Sequence, residues 1–278
     1  MQRDKGFDYK DLTEISRVLE LCFTSLMNDK DEIEPALLNF LEVCQIPFSK
    51  LKSSDETNFV PLLSVFFNAL CPLLRIDGQN ANINYDKICA SVGELIICLA
   101  WSGVQIIWEN ASGDNEPMED LYSHGTWNLI GISKSDVPET LVGLLAENKK
   151  CKEVLEVIIE TIACCSLYRP IANKFASMGV LKDLVLFIGE NKDFRTSFVQ
   201  TSIDAIWNII EVGGSVVTQT MASEAEVVYA LWTIFERVLE EGYKLDDKAL
   251  RNEICILINY VAACPESHRF FLDREEDN

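Results

Sequence analysis

Thiols and imidazoles are the first side chains in this 278-residue sequence that could do chemistry. There are ten cysteines and two histidines. Most of the cysteines lie inside apolar runs such as "LELCF", "NALCPLL", "ELIICLA" and "EICILI". In such runs a thiol behaves as a small buried hydrophobe. No Cys-x-x-Cys pair occurs and the histidines, His124 and His268, stand far apart, so the spacing argues against a metal site. A disulfide framework is disfavoured in a chain of this length whose start, "MQRDKGFDYKDLTE", has no apolar signal region. The Gly-rich phosphate loop, the dinucleotide fingerprint, the nucleophile elbow and the His-Glu-x-x-His zinc motif are all missing. These readings predict no catalytic residues, no cofactor and no enzyme.

Asparagine next to tryptophan is the pattern that remains. "GTWNLI" spans Gly125 to Ile130 and "AIWNII" spans Ala205 to Ile210, which puts Trp127-Asn128 and Trp207-Asn208 80 positions apart. The broader pattern, an asparagine between two apolar residues, recurs at Asn39, Asn68 and Asn259. Eighty residues is two periods of about 40, the size of an armadillo or HEAT unit, so the two boxes are expected to mark corresponding turns. Asn208 lies opposite the stripe of Val199, Ile203, Ile206 and Ile210, and is expected to face a groove. Trp207 borders that stripe and is expected, with Trp127, to pack between repeats. The candidate groove residues are His124, Asn128, Asp204, Asn208 and Asn259.

The elements that would position these residues are helical nearly throughout. Residues 151–165 place Cys151, Val154, Leu155, Ile158, Ile159, Ile162 and Cys165 on one helix face. The same period predicts helices over 15–26, 36–44, 59–74, 85–100, 199–210, 227–239 and 249–263. No sustained period-2 alternation is present. "SDVPET" has the form of a capping box, with Asp136 as N-cap, Pro138 in the first turn and Glu139 three residues on. Two longer loops are expected, at 45–57 and at 110–120, the second acidic. Helices of this length with short connections predict an all-α, armadillo/HEAT-like solenoid. Its organisation is expected to be a capping helix over 1–30, a repeat array over 31–272 and an acidic tail over 273–278. "RPIANKFASMGVLKDLVLFI", with Gly179 at a corner, resembles the junction of an armadillo second and third helix.

Charge narrows the partners. Forty-four acidic residues face 24 basic ones, a net charge of −20. Such a surface repels nucleic acid and anionic lipid, and attracts basic proteins. No apolar run is long enough for a membrane span. In peptide-binding armadillo proteins an asparagine on each third helix holds the ligand backbone and a tryptophan stands one turn earlier. Here His124, Asp204 and Cys255 occupy that earlier position, so a nuclear-import type of groove is not expected.

Three stretches in order carry a family resemblance: "FLEVCQIPFSKLKSSDET" (40–57), "SIDAIWNIIE" (202–211) and "KALRNEICILINYVAACPES" (248–267). Together they resemble the N-terminal armadillo-like region of the cilia- and flagella-associated protein 69 family. The resemblance implies a non-catalytic scaffold of the axonemal central apparatus, the projection-bearing microtubule pair of motile cilia and flagella. It implies other projection proteins as partners, and the charge suggests that those partners have basic surfaces. Direct tubulin contact is disfavoured, because microtubules are acidic too. Members of the family are longer, so contacts made by the remainder do not carry over. The other reading of the same residues is a general cytosolic armadillo adaptor with an extended or basic peptide in its groove.

Overall fold

The computed structural model describes residues 9–45, 64–111, 126–147, 150–191, 196–241 and 248–272. Every regular element among them is helical. The chain divides into two compact units, Met1–Cys165 and Ser166–Asn278.

The first unit contains α1 (Tyr9–Met27), α2 (Ile33–Gln45), α3 (Ser64–Leu74), α4 (Tyr85–Ala111), α5 (Thr126–Ser133), α6 (Val137–Glu147) and α7 (Lys152–Cys165). Its helices pair as α1 with α2, α3 with α4 and α6 with α7. The pairs stack in two rows, α1–α3–α6 and α2–α4–α7, and the short α5 packs on α3, α4 and α6. Within the second row, α4 and α7 approach closely at Gly93, where a Cβ would come within 2.6 Å of Val157 Cγ1.

The second unit contains α8 (Arg169–Ser177), α9 (Val180–Glu190), α10 (Ser197–Gly213), α11 (Ser215–Ser223), α12 (Ala225–Glu241), α13 (Lys248–Ala262) and α14 (His268–Leu272). Here the armadillo triplet is complete twice. The first helices α8 and α11 pack together, as do the second helices α9 and α12 and the third helices α10 and α13.

Local chemistry sets the corners. Gly179 turns α8 into α9 at φ +84°, a left-handed conformation that suits glycine. This junction joins the first and second helices of a triplet, not the second and third as the sequence suggested. Thr196 caps α10, its side chain accepting from the Val199 N–H. At Asp136 the backbone N–H, which a capping box hands to the residue three on, donates to Asn68 Oδ1 at 2.8 Å. The cap of α6 is therefore tied to α3, the preceding helix in its row.

The core follows the helical period, with more of each helix buried than one stripe. In α10 the expected Val199, Ile203, Ile206 and Ile210 are buried, and so are Phe198, Ser202, Ala205 and Ile209. The cause is that α10 packs on α8, α9, α11 and α13. Each fully buried aliphatic side chain contributes about 1.5–3 kcal/mol relative to exposure. Only a narrow strip of α10 stays open.

The 80-residue spacing does not mark corresponding turns. Trp127 and Asn128 lie on α5, a short first helix, whereas Trp207 and Asn208 lie on α10, a third helix. Asn39 sits on α2, Asn68 on α3 and Asn259 on α13, so the five asparagines occupy three kinds of position. Most of the two expected loops, 46–57 and 112–120, lies outside the described residues. No described helix is long and apolar enough to cross a membrane.

Candidate functional site

The open strip of α10 is short because burial takes the rest of the helix. Gln200, Asp204, Trp207, Asn208 and Glu211 remain wholly or partly exposed, at i, i+4, i+7, i+8 and i+11. On α13 the matching strip carries Glu253, Ile256 and Tyr260, with Asn259 beside it. Ile256 is 42% exposed and Tyr260 39%.

Two contacts set the register of these third helices. Gln200 Nε2 donates to Glu253 Oε2 at 3.2 Å, 53 residues along the chain. Two turns further, the Trp207 ring meets the Tyr260 ring edge-on, with centroids 5.7 Å apart and planes at 87°. Both pairs have the same offset, so the helices run parallel. The same Gln200 amide also donates to Asp204 Oδ1 at 3.4 Å. One neutral amide thus serves two carboxylates. Burial by its neighbours raises the Asp204 carboxyl above its ordinary range, and the Gln200 amide works against that shift.

A second acidic face lies in the first unit. Glu160 on α7 is raised by burial first, then by the nearby charges of Glu156 and Glu94. Glu94 lies on α4, so carboxylates of two neighbouring third helices repel one another there.

The sequence-predicted residues meet different fates. Asn128 does not line a groove: it is fully buried, and its Nδ2 donates to the Leu99 carbonyl at 3.3 Å. The short α5 packs on α3 and α4 of the preceding pair and turns Asn128 into that contact, which is why the groove expectation fails at this position. His124 and the Trp127 side chain lie outside the described residues. Asp204, Asn208 and Trp207 share one face of α10, and Asn259 is exposed on α13. Sequence reasoning missed Gln200, Glu253, Ile256 and Tyr260. An offset of 53, aligning Trp207 with Tyr260, would have found them; aligning the asparagines does not.

All ten cysteines are free thiols. Burial pushes the Cys44 and Cys164 thiols up to about 12 and Cys89 to about 11. At neutral pH these three groups are protonated and poor nucleophiles.

First helix on first, second on second and third on third, with a polar and aromatic strip along the third-helix row, defines an armadillo-repeat protein. Residues 1–271 match the family described as "Cilia- and flagella-associated protein 69, ARM repeat", and the chain belongs to that family. It is 22% identical over 262 residues to cilia- and flagella-associated protein 69 of Mus musculus, covering 94% of this chain and 26% of that relative. The Homo sapiens protein of the same name is 22% identical over 264 residues, with the same coverage. The chain therefore spans about a quarter (26%) of the length of the curated relatives it matches.

Proposed function

We propose that this chain is a non-catalytic armadillo scaffold of the axonemal central apparatus, acting in motile cilia and flagella through protein–protein contacts. Its partners are other projection proteins with basic surfaces. The observation that carries this reading is the family match over residues 1–271, in a chain whose helices stack as armadillo rows. The net charge of −20 supports basic partners and opposes bare microtubules, whose surface is acidic.

Imaging of the tagged protein in a ciliated cell tests the location. The expected result is signal along the axoneme that survives detergent extraction; signal confined to the cytosol overturns the reading. Co-sedimentation with bare microtubules at physiological salt is expected to leave the protein in the supernatant. Tight stoichiometric pelleting overturns the assignment of partners.

The second reading, a general cytosolic armadillo adaptor, draws on the open strip along α10 and α13. It predicts diffuse cytosolic signal in the same imaging experiment.

A further inference from the structure

The third-helix strip of the second unit joins apolar and acidic surface over a short distance. Ile256 and Tyr260 are exposed on α13, and Trp207 is half-buried beside them on α10. Asp204 and Glu253 stand on the same strip, both served by the Gln200 amide. An ionised carboxylate offers about four acceptor sites, and one shared amide leaves most of them open.

We propose that this strip docks an extended partner segment in which Lys or Arg seats between Asp204 and Glu253, and an apolar residue packs on Trp207, Ile256 and Tyr260. The proposal rests on the scaffold reading only in requiring a protein partner. Charge selects the occupant. A cation fills the open acceptor sites with charge-assisted hydrogen bonds, and the acidic field of the whole chain steers it in. An acidic segment would meet repulsion at the same place. Tyr260, 39% exposed, adds cation–π attraction for a guanidinium lying over its ring.

Spacing sharpens the proposal. The Gln200–Glu253 level and the Trp207–Tyr260 level are two helical turns apart, about 10.5 Å. A polyproline-type strand rises about 3.1 Å per residue and repeats its facing side chain every third residue. The occupant therefore carries its basic and apolar residues about three positions apart.

The test titrates the full chain with fluorescein-labelled proline-rich peptides, read by anisotropy. One pair carries Arg and, three residues away, Leu, in either order. A second pair replaces Arg by Glu. At least one Arg peptide is expected to bind and to shift Trp emission, and neither Glu peptide is expected to. D204N and E253Q are each expected to weaken Arg-peptide binding about tenfold. The control variant E226Q removes an exposed charge from α12, in the second-helix row of the same unit, and is expected to leave affinity within about twofold. Equal binding of the Glu peptides, absence of binding by every peptide, or equal weakening by the α12 control each overturns the proposal. Ciliary imaging of D204N/E253Q separates the two claims. A retained axonemal signal with no peptide binding by the native chain overturns the docking site and leaves the scaffold standing.

Discussion

Asn128 and Asn259 place the same side chain in opposite surroundings. Asn128 is fully buried and donates to the Leu99 carbonyl, while its Oδ1 has no hydrogen-bond partner among the described residues. Asn259 is exposed on α13. Removing a buried hydrogen bond costs about 1–3 kcal/mol when a polar group is left unsatisfied, and an exposed substitution costs about 0.5 kcal/mol or less. Asn128→Ala is therefore expected to lower unfolding stability in urea by about 1–3 kcal/mol, and Asn259→Ala to leave it nearly unchanged. Equal losses would place both side chains in the core. From sequence the two residues look alike, because each sits between apolar neighbours. Burial depends on which helix of the triplet carries the residue, and local pattern does not reveal that.

At the scale of elements, Gly93 lets α4 and α7 come together. Its absent Cβ leaves room for Val157 Cγ1, and the β-branched Val157 has little freedom to turn aside. Gly93→Ala gains helix propensity of about 1 kcal/mol but overpacks this contact, a penalty of about 1–3 kcal/mol. A net loss of thermal stability is expected, and Val157→Ala in the same chain is expected to restore part of it. Thermal unfolding of the two single variants and the double variant measures the coupling; simple additivity would mean the helices do not meet there. The helical period was legible: α2, α7, α10, α12 and α13 fall where the spacing places them. The short helices were harder to read. In α5 and α11 only a few residues separate the breaks, so periodicity has too little length to act on, and their place in a triplet is decided by what they pack against.

Across the whole molecule, charge outweighs other surface properties. With a net charge of −20, screening by added salt relieves self-repulsion. Among the described residues, burial raises the carboxyls of Glu160, Asp183 and Asp204, and Glu160 is raised further by repulsion from Glu156 and Glu94. A carboxyl raised in the folded state holds its proton more tightly there than in the unfolded chain. Its contribution to stability is complete below the ordinary carboxylate range and is lost as pH rises through the raised folded value. Glu160→Gln is thus expected to raise Tm by about 1 °C near neutral pH. The advantage is expected to shrink toward about pH 4 and toward high salt. A variant less stable than the native chain at neutral pH would mean that Glu160 makes a favourable contact outweighing the repulsion. Thermal scans across pH and ionic strength decide between the two.

The sequence by itself determined the helical class, the acidic surface and the family, because apolar period, composition and ordered local identities are properties of the chain. The armadillo corner was legible at Gly179, although at a different junction of the triplet, and the 80-residue spacing of the two boxes did not mark a repeat. The partnership of α10 with α13, the demotion of Asn128 to the core and the sharing of Gln200 between two carboxylates were decided by tertiary structure. Each depends on residues about 30 to 53 positions apart meeting at a fixed register. That register is set by loop lengths and close packing, neither of which leaves a periodic trace in the sequence.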